Sequence, residues 1–405
     1  MTARYIDIHV LQTVPFSNLN RDDLGSPKAL TYGAVQRLRV SSQCWKRATR
    51  EHMQRALQGH ARYDRAIRTR RPFDILTTHL TDAGWSREDA THAAEVVFAP
   101  YKDAQDASGD AADGEVTGST VSSANVLLFL TESQYADLAA IVTTHRGEVL
   151  QAVAAKGRPS KKDGPELKKI RAALSEVIKS PRGLVTVFGR MIAALPTANV
   201  EGGVQVAHAF TVHQAAAEFD YFTAVDDYTQ DENTGAGHLG AAEFATGTFY
   251  RYATVDLEHL TTNTGDPALA HDLAAQFISS FVSSLPSGKS TATAPNTRPN
   301  LVVVQVREDQ PLSYAAAFER AVTYDGQGYL LPAVHLLTEH ATLIADAYGD
   351  SPVWSGHLNA VTTDPDQVKA LNAAFGDRVS GGPGALATAA LASCDLAALV
   401  REPVA

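Results

Sequence analysis

A single strand-like segment near the start of the chain is separated from the later ones by a long region with helical patterns. Residues 4–12 (RYIDIHVLQ) alternate polar and apolar side chains, which predicts a β-strand. Helical patterns then dominate to about residue 180, and β-branched runs return with GLVTVFGRMIAAL at Gly183. One sheet interrupted by a helical insertion accounts for this order better than two tandem domains.

The second half of the chain alternates strand and helix patterns. Strands are expected at FTAV, FYRYATVDL and RPNLVVVQVRE. Helices are expected at LGAAEFA, ALAHDLAAQFISSFVSSL, SYAAAFERAV and PAVHLLTEHATLIADAY, with a closing helix from about Ala385. This alternation predicts a sheet with helices packed against one side of it.

The composition indicates where such a chain works. Its two cysteines, Cys44 and Cys394, form neither a disulfide framework nor a zinc motif, which favours a reducing cytoplasm. Asp7 interrupts the first apolar run, so that run does not match a secretory signal. Every apolar run is shorter than the roughly 20 residues that a membrane span needs. We therefore expect a cytoplasmic protein with no membrane partner.

Positive charge is concentrated near the start of an otherwise acidic chain. The formal net charge is −10, yet the segment from Arg21 to Arg71 holds 13 lysines and arginines against four acids. That segment therefore carries +9 and the remaining residues −19. A local positive field attracts a polyanion even on an acidic protein, although a solvated helix face explains the charge alone equally well.

Binding of a polyanion is supported by the segment LNRDDLGSPKALTYGAVQRLRVSSQCWKRATR. Ser41 and Ser42 are good N-caps for the helix that follows, and they bring hydroxyls and free backbone N–H groups to its start. Gln43, Lys46, Arg47 and Arg50 fall at i, i+3, i+4 and i+7, so they share one helical face. N–H donors together with long cationic side chains suit phosphate, and such binding weakens steeply with salt.

The order of these residues resembles a known family. The segment resembles the large backbone subunit of type I-E CRISPR Cascade complexes, the CasC family. The resemblance rests on the order of LNRDD, a lysine, a basic strand and SSQ-x-x-KRA-x-R. Five later blocks keep the family's order: GRM at 189–191, AHAFTVHQ at 207–214, FDYFTAVDD at 219–227, HLGAAEFATGTFYRYA at 238–253 and PLSYAAAFERAV at 311–322. Together they cover most of the chain, and the loop 102–122 and the tail after about 350 match least.

The resemblance implies an α+β fold and a structural role. It implies a modified RRM-like (ferredoxin-like) palm in residues 1–44 and 181–405, helical fingers in 45–180 and a β-hairpin thumb in 215–249. Several copies would stack along one guide RNA (crRNA), displace nucleotides at regular intervals and present the guide to target DNA in antiviral defence. Implied partners are crRNA, target DNA, further copies of the chain, and the small, large, 5′-handle-binding and crRNA endonuclease subunits.

The resemblance also implies individual site residues. Guide backbone contacts would fall on Arg21, Lys28, Ser41, Gln43, Lys46, Arg47 and Arg50, whereas Arg37 and Arg39 are candidates for a role in supporting the strand alone. Cys44 stands where the family often has a serine, and a thiol is a poor hydrogen-bond donor.

The predicted thumb would displace one nucleotide. Tyr221, Phe222, Thr223 and Leu239 would form its wedge, with Met191 on the palm below. Unstacking a base costs a few kcal/mol, and an aromatic surface recovers about 1–3 kcal/mol per base. By their residue types alone, Tyr221 and Phe222 are more readily explained as core.

A second basic cluster falls in the predicted fingers. Lys161, Lys162, Lys168 and Lys169 would contact duplex target DNA by the resemblance, while a solvated surface is the plainer interpretation.

The sequence contains few residue patterns that are typical of a catalytic, metal or cofactor site. His208 and His213 are five residues apart, which suits neither one strand face nor one helical face for a metal. Asp22 and Asp23 leave one enzymatic alternative, a metal-dependent RNA endonuclease subunit of a CRISPR-type effector, unless they pair with nearby arginines. A metabolic enzyme that binds a phosphorylated ligand is the other alternative. No phosphate-loop, dinucleotide or nucleophile-elbow motif is present, so we expect no cofactor and no enzymatic activity.

Overall fold

The computed structural model describes residues 3–60, 62–99, 127–154, 165–192, 195–224 and 238–399. The chain forms two compact units, one made of 1–57 with 204–405 and the other of 58–203. The palm, fingers and thumb boundaries predicted from the sequence follow different limits and stay a prediction. In the described part of the chain, no helix is long and apolar enough to cross a membrane.

Eleven strands are described. In chain order they are β1 (Tyr5–Ser17), β2 (Ala29–Tyr32), β3 (Val35–Val40), β4 (Ala66–Thr69), β5 (Leu128–Thr131), β6 (Val204–Val206), β7 (Ala209–Thr211), β8 (Glu218–Ala224), β9 (His238–Asp256), β10 (Leu301–Arg307) and β11 (Trp354–Asn359).

Thirteen helices are described. They are α1 (Ser42–Ala56), α2 (Pro72–Asp82), α3 (Arg87–Phe98), α4 (Glu132–Thr144), α5 (Arg146–Ala154), α6 (Pro165–Lys179), α7 (Leu184–Phe188), α8 (Leu257–Thr264), α9 (Pro267–Ser283), α10 (Ser290–Thr293), α11 (Leu330–Tyr348), α12 (Pro365–Phe375) and α13 (Gly382–Leu391).

An antiparallel sheet of nine strands organises the first unit. Its order is β11-β10-β1-β9-β7-β3-β2, with β6 and β8 also pairing with β9. Ile8 of β1 pairs with Val304 of β10 on one side and with Ala253 of β9 on the other. Strands β1 and β10 are buried almost throughout, because they are central and rich in β-branched residues. The α+β fold class predicted from the sequence is confirmed.

Helix α9 shows how the helical layer of the first unit forms. Asp266 caps it, accepting hydrogen bonds from Ala268 N and Leu269 N, and Pro267 occupies its first position. Leu273, Phe277 and Phe281 recur at helical spacing and are fully or almost fully buried. Helices α1 and α13 pack against this helix.

The second unit has a helical core of its own. Helices α2 to α6 surround apolar side chains such as Leu76, Phe98 and Tyr135, and the short pair β4–β5 is antiparallel. Thr131 begins α4 with a capping box, in which its side chain and that of Gln134 each bond the other's backbone N–H.

Three local predictions are wrong. Residues 184–188 form α7 rather than a strand; Gly183 precedes it with a φ of 51°, and a Cβ there would lie 2.1 Å from the Asp64 carbonyl oxygen. LGAAEFA is strand, because it pairs with β8 along its length. SYAAAFERAV contains only a 3₁₀ turn at Ala315–Phe318. In each case tertiary packing overrides local propensity.

Candidate nucleic-acid interface

A closed loop precedes the predicted binding helix. Lys28 N donates to Asn20 O at 3.0 Å, and Arg21 forms an isolated antiparallel β-bridge with Pro27. Residues 20–28 therefore form a closed loop. Asp22 stabilises it, since its Oδ1 accepts from Leu24 N and Ser26 N, both at 2.9 Å. This carboxylate oxygen therefore has a structural role and does not pair with Arg37.

Arg37 is fully buried and supports the fold. Its guanidinium donates to the carbonyl oxygens of Thr211 at 2.9 Å and Phe318 at 3.0 Å. Such contacts join β3 to β7 and to the 3₁₀ turn at Ala315–Phe318. Arg37 is thus unavailable to a ligand, in agreement with the supporting role considered from the sequence.

The start of α1 is capped as predicted, but its backbone donors are used within the protein. Ser41 is the N-cap, and its Oγ accepts from Cys44 N at 3.3 Å. Ser41 N donates to Asn20 Oδ1 at 2.8 Å, and Ser42 N donates to His208 Nδ1 at 3.0 Å. The N–H groups of Ser41 and Ser42, predicted to be free, are therefore engaged within the protein, so side chains supply most of the positive charge at this site.

One face of α1 is buried and the other carries the cations. Trp45, Ala48, Thr49 and Met53 are buried, because they repeat at helical spacing toward the sheet and α9. On the outer side Gln43 and Arg47 are exposed, and Lys46 and Arg50 are half-buried. Burial lowers the pKa of Lys46 below its ordinary value.

Arg47 is held by an acidic neighbour on the same helix. Its Nε lies 2.8 Å from Glu51 Oε1, and this contact raises the pKa of Arg47. The pair is well exposed, with 75% of the Arg47 side chain accessible. Exposed pairs stabilise by at most about 1 kcal/mol, so a phosphate can displace Glu51 at little cost.

Cys44 faces inward. Its Sγ donates to Leu19 O at 3.6 Å, and burial raises the pKa of the thiol to about 11. The side chain therefore stays protonated at neutral pH and bonds the protein rather than a ligand.

A groove of about 1370 Å³ runs along α1 in the first unit. Cationic side chains line it from five separate segments, and Glu51 is the one acid among the described lining residues. The cations are Arg21, Arg47, Arg55, Lys289, Arg298 and Arg378. This groove has the dimensions and charge to hold an extended polyanion.

The wall of the groove opposite α1 is anchored on β1. Gln12 Nε2 donates to Thr297 O, and Thr13 N donates to Asn300 Oδ1, both at 2.9 Å. A Cβ on Gly288 would lie 2.5 Å from the carbonyl oxygens of Asn18 and Leu19, so only glycine permits this approach. These contacts fix the loop that carries Lys289 and Arg298.

The groove contains some predicted residues and several that were missed. Arg21 and Arg47 line it, whereas Lys28, Ser41, Gln43, Lys46 and Arg50 are not among its lining residues. Lys289, Arg298 and Arg378 were missed because each stands alone in a neutral or acidic stretch of sequence. The available signal was the glycine before Lys289, which permits a close backbone approach.

The predicted wedge lies on the hairpin formed by β8 and β9. Tyr221 is 72% exposed and Phe222 is 48% exposed, as expected for side chains that meet a ligand rather than a core. The register pairs Tyr221 with Ala241 and Phe222 with Gly240, so the two rings point to opposite faces. The side chains of Thr223 and Leu239 and the turn 225–237 lie outside the described residues.

Phe222 rests on a glycine of the partner strand. A Cβ on Gly240 would lie 2.3–2.8 Å from three atoms of the Phe222 ring. The absence of a side chain at Gly240 therefore sets the position of this ring.

The other predicted contact residues lie in the second unit. Met191 is 78% exposed, and Lys168 and Lys169 are exposed on α6. Lys161 and Lys162 lie outside the described residues. The predicted roles of these residues stay predictions.

The two histidines considered as a metal pair have other partners. His208 Nδ1 accepts from Ser42 N, and His213 Nε2 accepts from Thr248 N at 3.2 Å. The His213 ring also stacks on Tyr329 with centroids 3.8 Å apart. Within the described ranges, no group of three His, Cys, Asp or Glu side chains could hold a metal ion.

Fold and site together define an α+β protein with a cationic groove, and solved structures show the same fold. The chain is similar to one from a pre-nicking CRISPR RNA-guided surveillance complex, with 40% identity and a TM-score of 0.81, covering 95% of this chain and 100% of that chain. A second chain, from a CRISPR RNA-guided surveillance complex, has 35% identity, a TM-score of 0.71, and coverage of 96% and 99%.

The family follows from the sequence comparison. The family model described as CT1975-like protein matches residues 6–379. This chain therefore belongs to the CT1975-like protein family. No curated protein matches it.

Proposed function

We propose that this chain is a structural guide-RNA-binding backbone subunit of a type I-E, Cascade-type CRISPR surveillance complex. The observation that carries the proposal is the groove, in which six cations from five segments face one acid. The similarity to chains of RNA-guided surveillance complexes supports guide RNA as the polyanion.

In this proposal the groove holds the phosphates and the hairpin displaces bases. Several copies bind along one crRNA, each through Arg21, Arg47 and the cations of the opposite wall. Residues 1–44 and 181–405 act as the RRM-like palm, residues 45–180 act as the fingers, and the exposed rings of β8 act at the displaced nucleotide. Target DNA pairs with the presented guide in antiviral defence, and the chain has a structural rather than a catalytic role.

Co-purification tests the proposal. The chain is expressed together with a guide RNA, and bound nucleic acid is extracted and sized after purification. We expect RNA of defined length with the unaltered chain and loss of it in an Arg21→Glu, Arg47→Glu variant. A Lys369→Glu variant is the matched control, since Lys369 is exposed on α12 outside the groove. RNA retained by the double variant would contradict the assignment of the groove.

The non-catalytic role has its own test. The assembled complex is incubated with complementary RNA and Mg²⁺, and the products are resolved by length. We expect no cleavage. Cleavage that disappears in an Asp23→Asn variant would establish the endonuclease alternative instead; Asp23 is preferable to Asp22 because Asp22 also holds the loop together.

A further inference from the structure

An aromatic pair with a lysine lies beside the groove, with one ring exposed and the other half-buried. Phe16 of β1 is 54% exposed, and its ring centre is 6.3 Å from that of Phe244 on β9. Lys289 Nζ lies 5.0 Å from the centre of the Phe244 ring, and Lys289 also lines the groove. We refer to Phe16, Phe244 and Lys289 as the aromatic platform. Its residues come from three distant segments and were not predicted as a site.

A break in strand pairing presents Phe16 to solvent. Val14 pairs with Gly247 and Ser17 pairs with Ala245. Between these two pairs β1 has two intervening residues, whereas β9 has one. The extra residue is a β-bulge at Pro15–Phe16, and Pro15 has no N–H to donate to the sheet. Bulges redirect side chains, and this one directs a large apolar ring outward instead of into the core.

Lys289 is held in place by an unusual backbone. Its φ is +51°, in the left-handed region that residues with a side chain rarely adopt. The preceding Gly288 packs against the carbonyl groups of Asn18 and Leu19 with no room for a Cβ. Backbone strain of this kind persists where the surrounding structure enforces it and is concentrated at functional sites.

The platform lies between the closed loop 20–28 and the foot of the hairpin. Phe244 pairs with Glu218, the first residue of β8. Asn18 Nδ2 donates to Gly25 O and to Glu243 O, both at 3.0 Å, and so ties the loop to the strand that carries Phe244. A single-stranded nucleic acid that follows the groove past Arg21 and Lys289 therefore meets the platform.

We propose that the aromatic platform stacks one unpaired base of single-stranded RNA, with Phe16 against the base and Lys289 on an adjoining phosphate. This inference rests on the proposed function of the groove. An exposed flat ring suits the face of any base, and a cation 5.0 Å from the second ring suits the phosphate. The platform is separate from the hairpin wedge and adds a second base contact to each copy.

Equilibrium binding of two fluorescein-labelled strands tests the platform. One probe is a single-stranded RNA and the other is a strand of the same length with abasic sites. Stacking contributes about 1–3 kcal/mol per base, so Phe16→Ala should weaken RNA binding about 5- to 150-fold and leave abasic binding unchanged. Phe16→Trp should bind RNA within about two-fold of the unaltered chain, because the larger ring still stacks.

Two further variants separate base stacking by Phe16 from the phosphate contact of Lys289. Tyr348→Ala is the matched control, since Tyr348 is 81% exposed and ends α11 outside the groove; it should bind both probes like the unaltered chain. Lys289→Met should lower the magnitude of the slope of log affinity against log salt by about 0.7, the value for one phosphate on a single strand. Phe16→Ala should leave that slope unchanged.

The outcomes distinguish the platform from the groove. If the unaltered chain binds neither probe, both the proposed function and the platform are wrong. If it binds RNA and Phe16→Ala binds equally well, the platform is wrong and the groove stands. If Phe16→Ala binds RNA normally but forms smaller assemblies in sedimentation, the rings contact a second copy of the chain, which also overturns the platform.

Discussion

The Cζ atom of Arg251 lies 3.7 Å from the centre of the Trp45 ring, in the interior of the first unit. Arg251 is on β9 and Trp45 is on the buried face of α1, so this contact joins the sheet to the helix that lines the groove. Arg251 also donates to Gln12 Oε1 at 2.6 Å and to the carbonyl of Phe281. One buried guanidinium therefore sets how β1, α1 and α9 meet.

Replacing Arg251 should destabilise the fold. Arg251→Met leaves two buried acceptors without a donor and removes a desolvated cation–π contact, at a cost on the order of 2–4 kcal/mol. Urea denaturation followed by tryptophan fluorescence measures this as a lower midpoint with an unchanged slope. Arg4→Met is the control, because the Arg4 side chain is 48% exposed and its Nε lies 3.7 Å from Glu258 Oε2, which makes a weak ion pair. Equal stability of the two variants would contradict the role of Arg251.

Several regular elements could be predicted from the sequence, but the groove could be predicted only in part. The Ser41 cap, the buried face of α1 and the apolar spacing of α9 are local patterns, and the structure contains all three. The wall with Lys289 and Arg298 is different, because it lies beside α1 through the packing of α9 on α1 and the pairing of β10 with β1. Such proximity depends on topology, which no local pattern contains.

Two further differences between the sequence predictions and the structure also arise from contacts between distant segments. The Ser41 and Ser42 N–H groups look free in a sequence, yet Asn20 and His208 reach them across the fold. LGAAEFA has good helix formers, yet pairing with β8 makes it a strand.

Adding a methyl group at Gly240 should disturb the hairpin more than the fold. The three atoms nearest to the Cβ of Gly240→Ala all belong to the ring of Phe222, a side chain that can move, so we expect a stability change below about 1 kcal/mol. The displaced ring should alter the accessibility of guide nucleotides to chemical probing at regular intervals. In a Phe222→Ala background the Gly240→Ala change should have no further effect, and an undiminished effect there would contradict this contact.

Both cysteines should react slowly in the folded protein. Burial raises the pKa of Cys44 and of Cys394 to about 11, against 9.0 for an ordinary thiol. At pH 8 the thiolate fraction is then about 100-fold lower, and alkylation with iodoacetamide should slow accordingly relative to unfolded chain. A Cys394→Ala variant assigns the remaining signal to Cys44, and rapid labelling of it would contradict the raised pKa of this thiol.

The role of Cys44 in binding is tested separately. Because its thiol donates to Leu19 O, Cys44→Ser should leave RNA affinity within about two-fold. Anisotropy titration with a labelled single-stranded RNA measures this, and a large gain or loss would indicate that position 44 contacts the ligand directly.

Acid should destabilise the first unit through His9. This side chain is buried against Tyr314, with centroids 4.5 Å apart, and burial followed by the charge of Arg307 lowers its pKa to about 3. Between pH 6.5 and 3 the unfolded chain binds a proton that the folded chain excludes, so stability falls as pH falls through this window.

The expected loss between pH 7 and pH 5 is on the order of 2 kcal/mol from His9 alone. Denaturant midpoints at the two pH values, compared between the unaltered chain and His9→Gln, isolate this contribution. We expect the variant to lose less stability on acidification, and an identical pH dependence would show that His9 does not titrate in this way.

The salt dependence of RNA affinity tests the groove most directly. Affinity for a single-stranded RNA is measured across a range of salt concentrations for the unaltered chain, Arg298→Gln/Arg378→Gln and the control Lys369→Gln. Each lost phosphate contact lowers the magnitude of the slope of log affinity against log salt by about 0.7, so the double variant should bind more weakly with a slope smaller by about 1.4. Lys369→Gln should match the unaltered chain. An unchanged slope in the double variant would contradict the account, because the opposite wall of the groove would then carry no RNA.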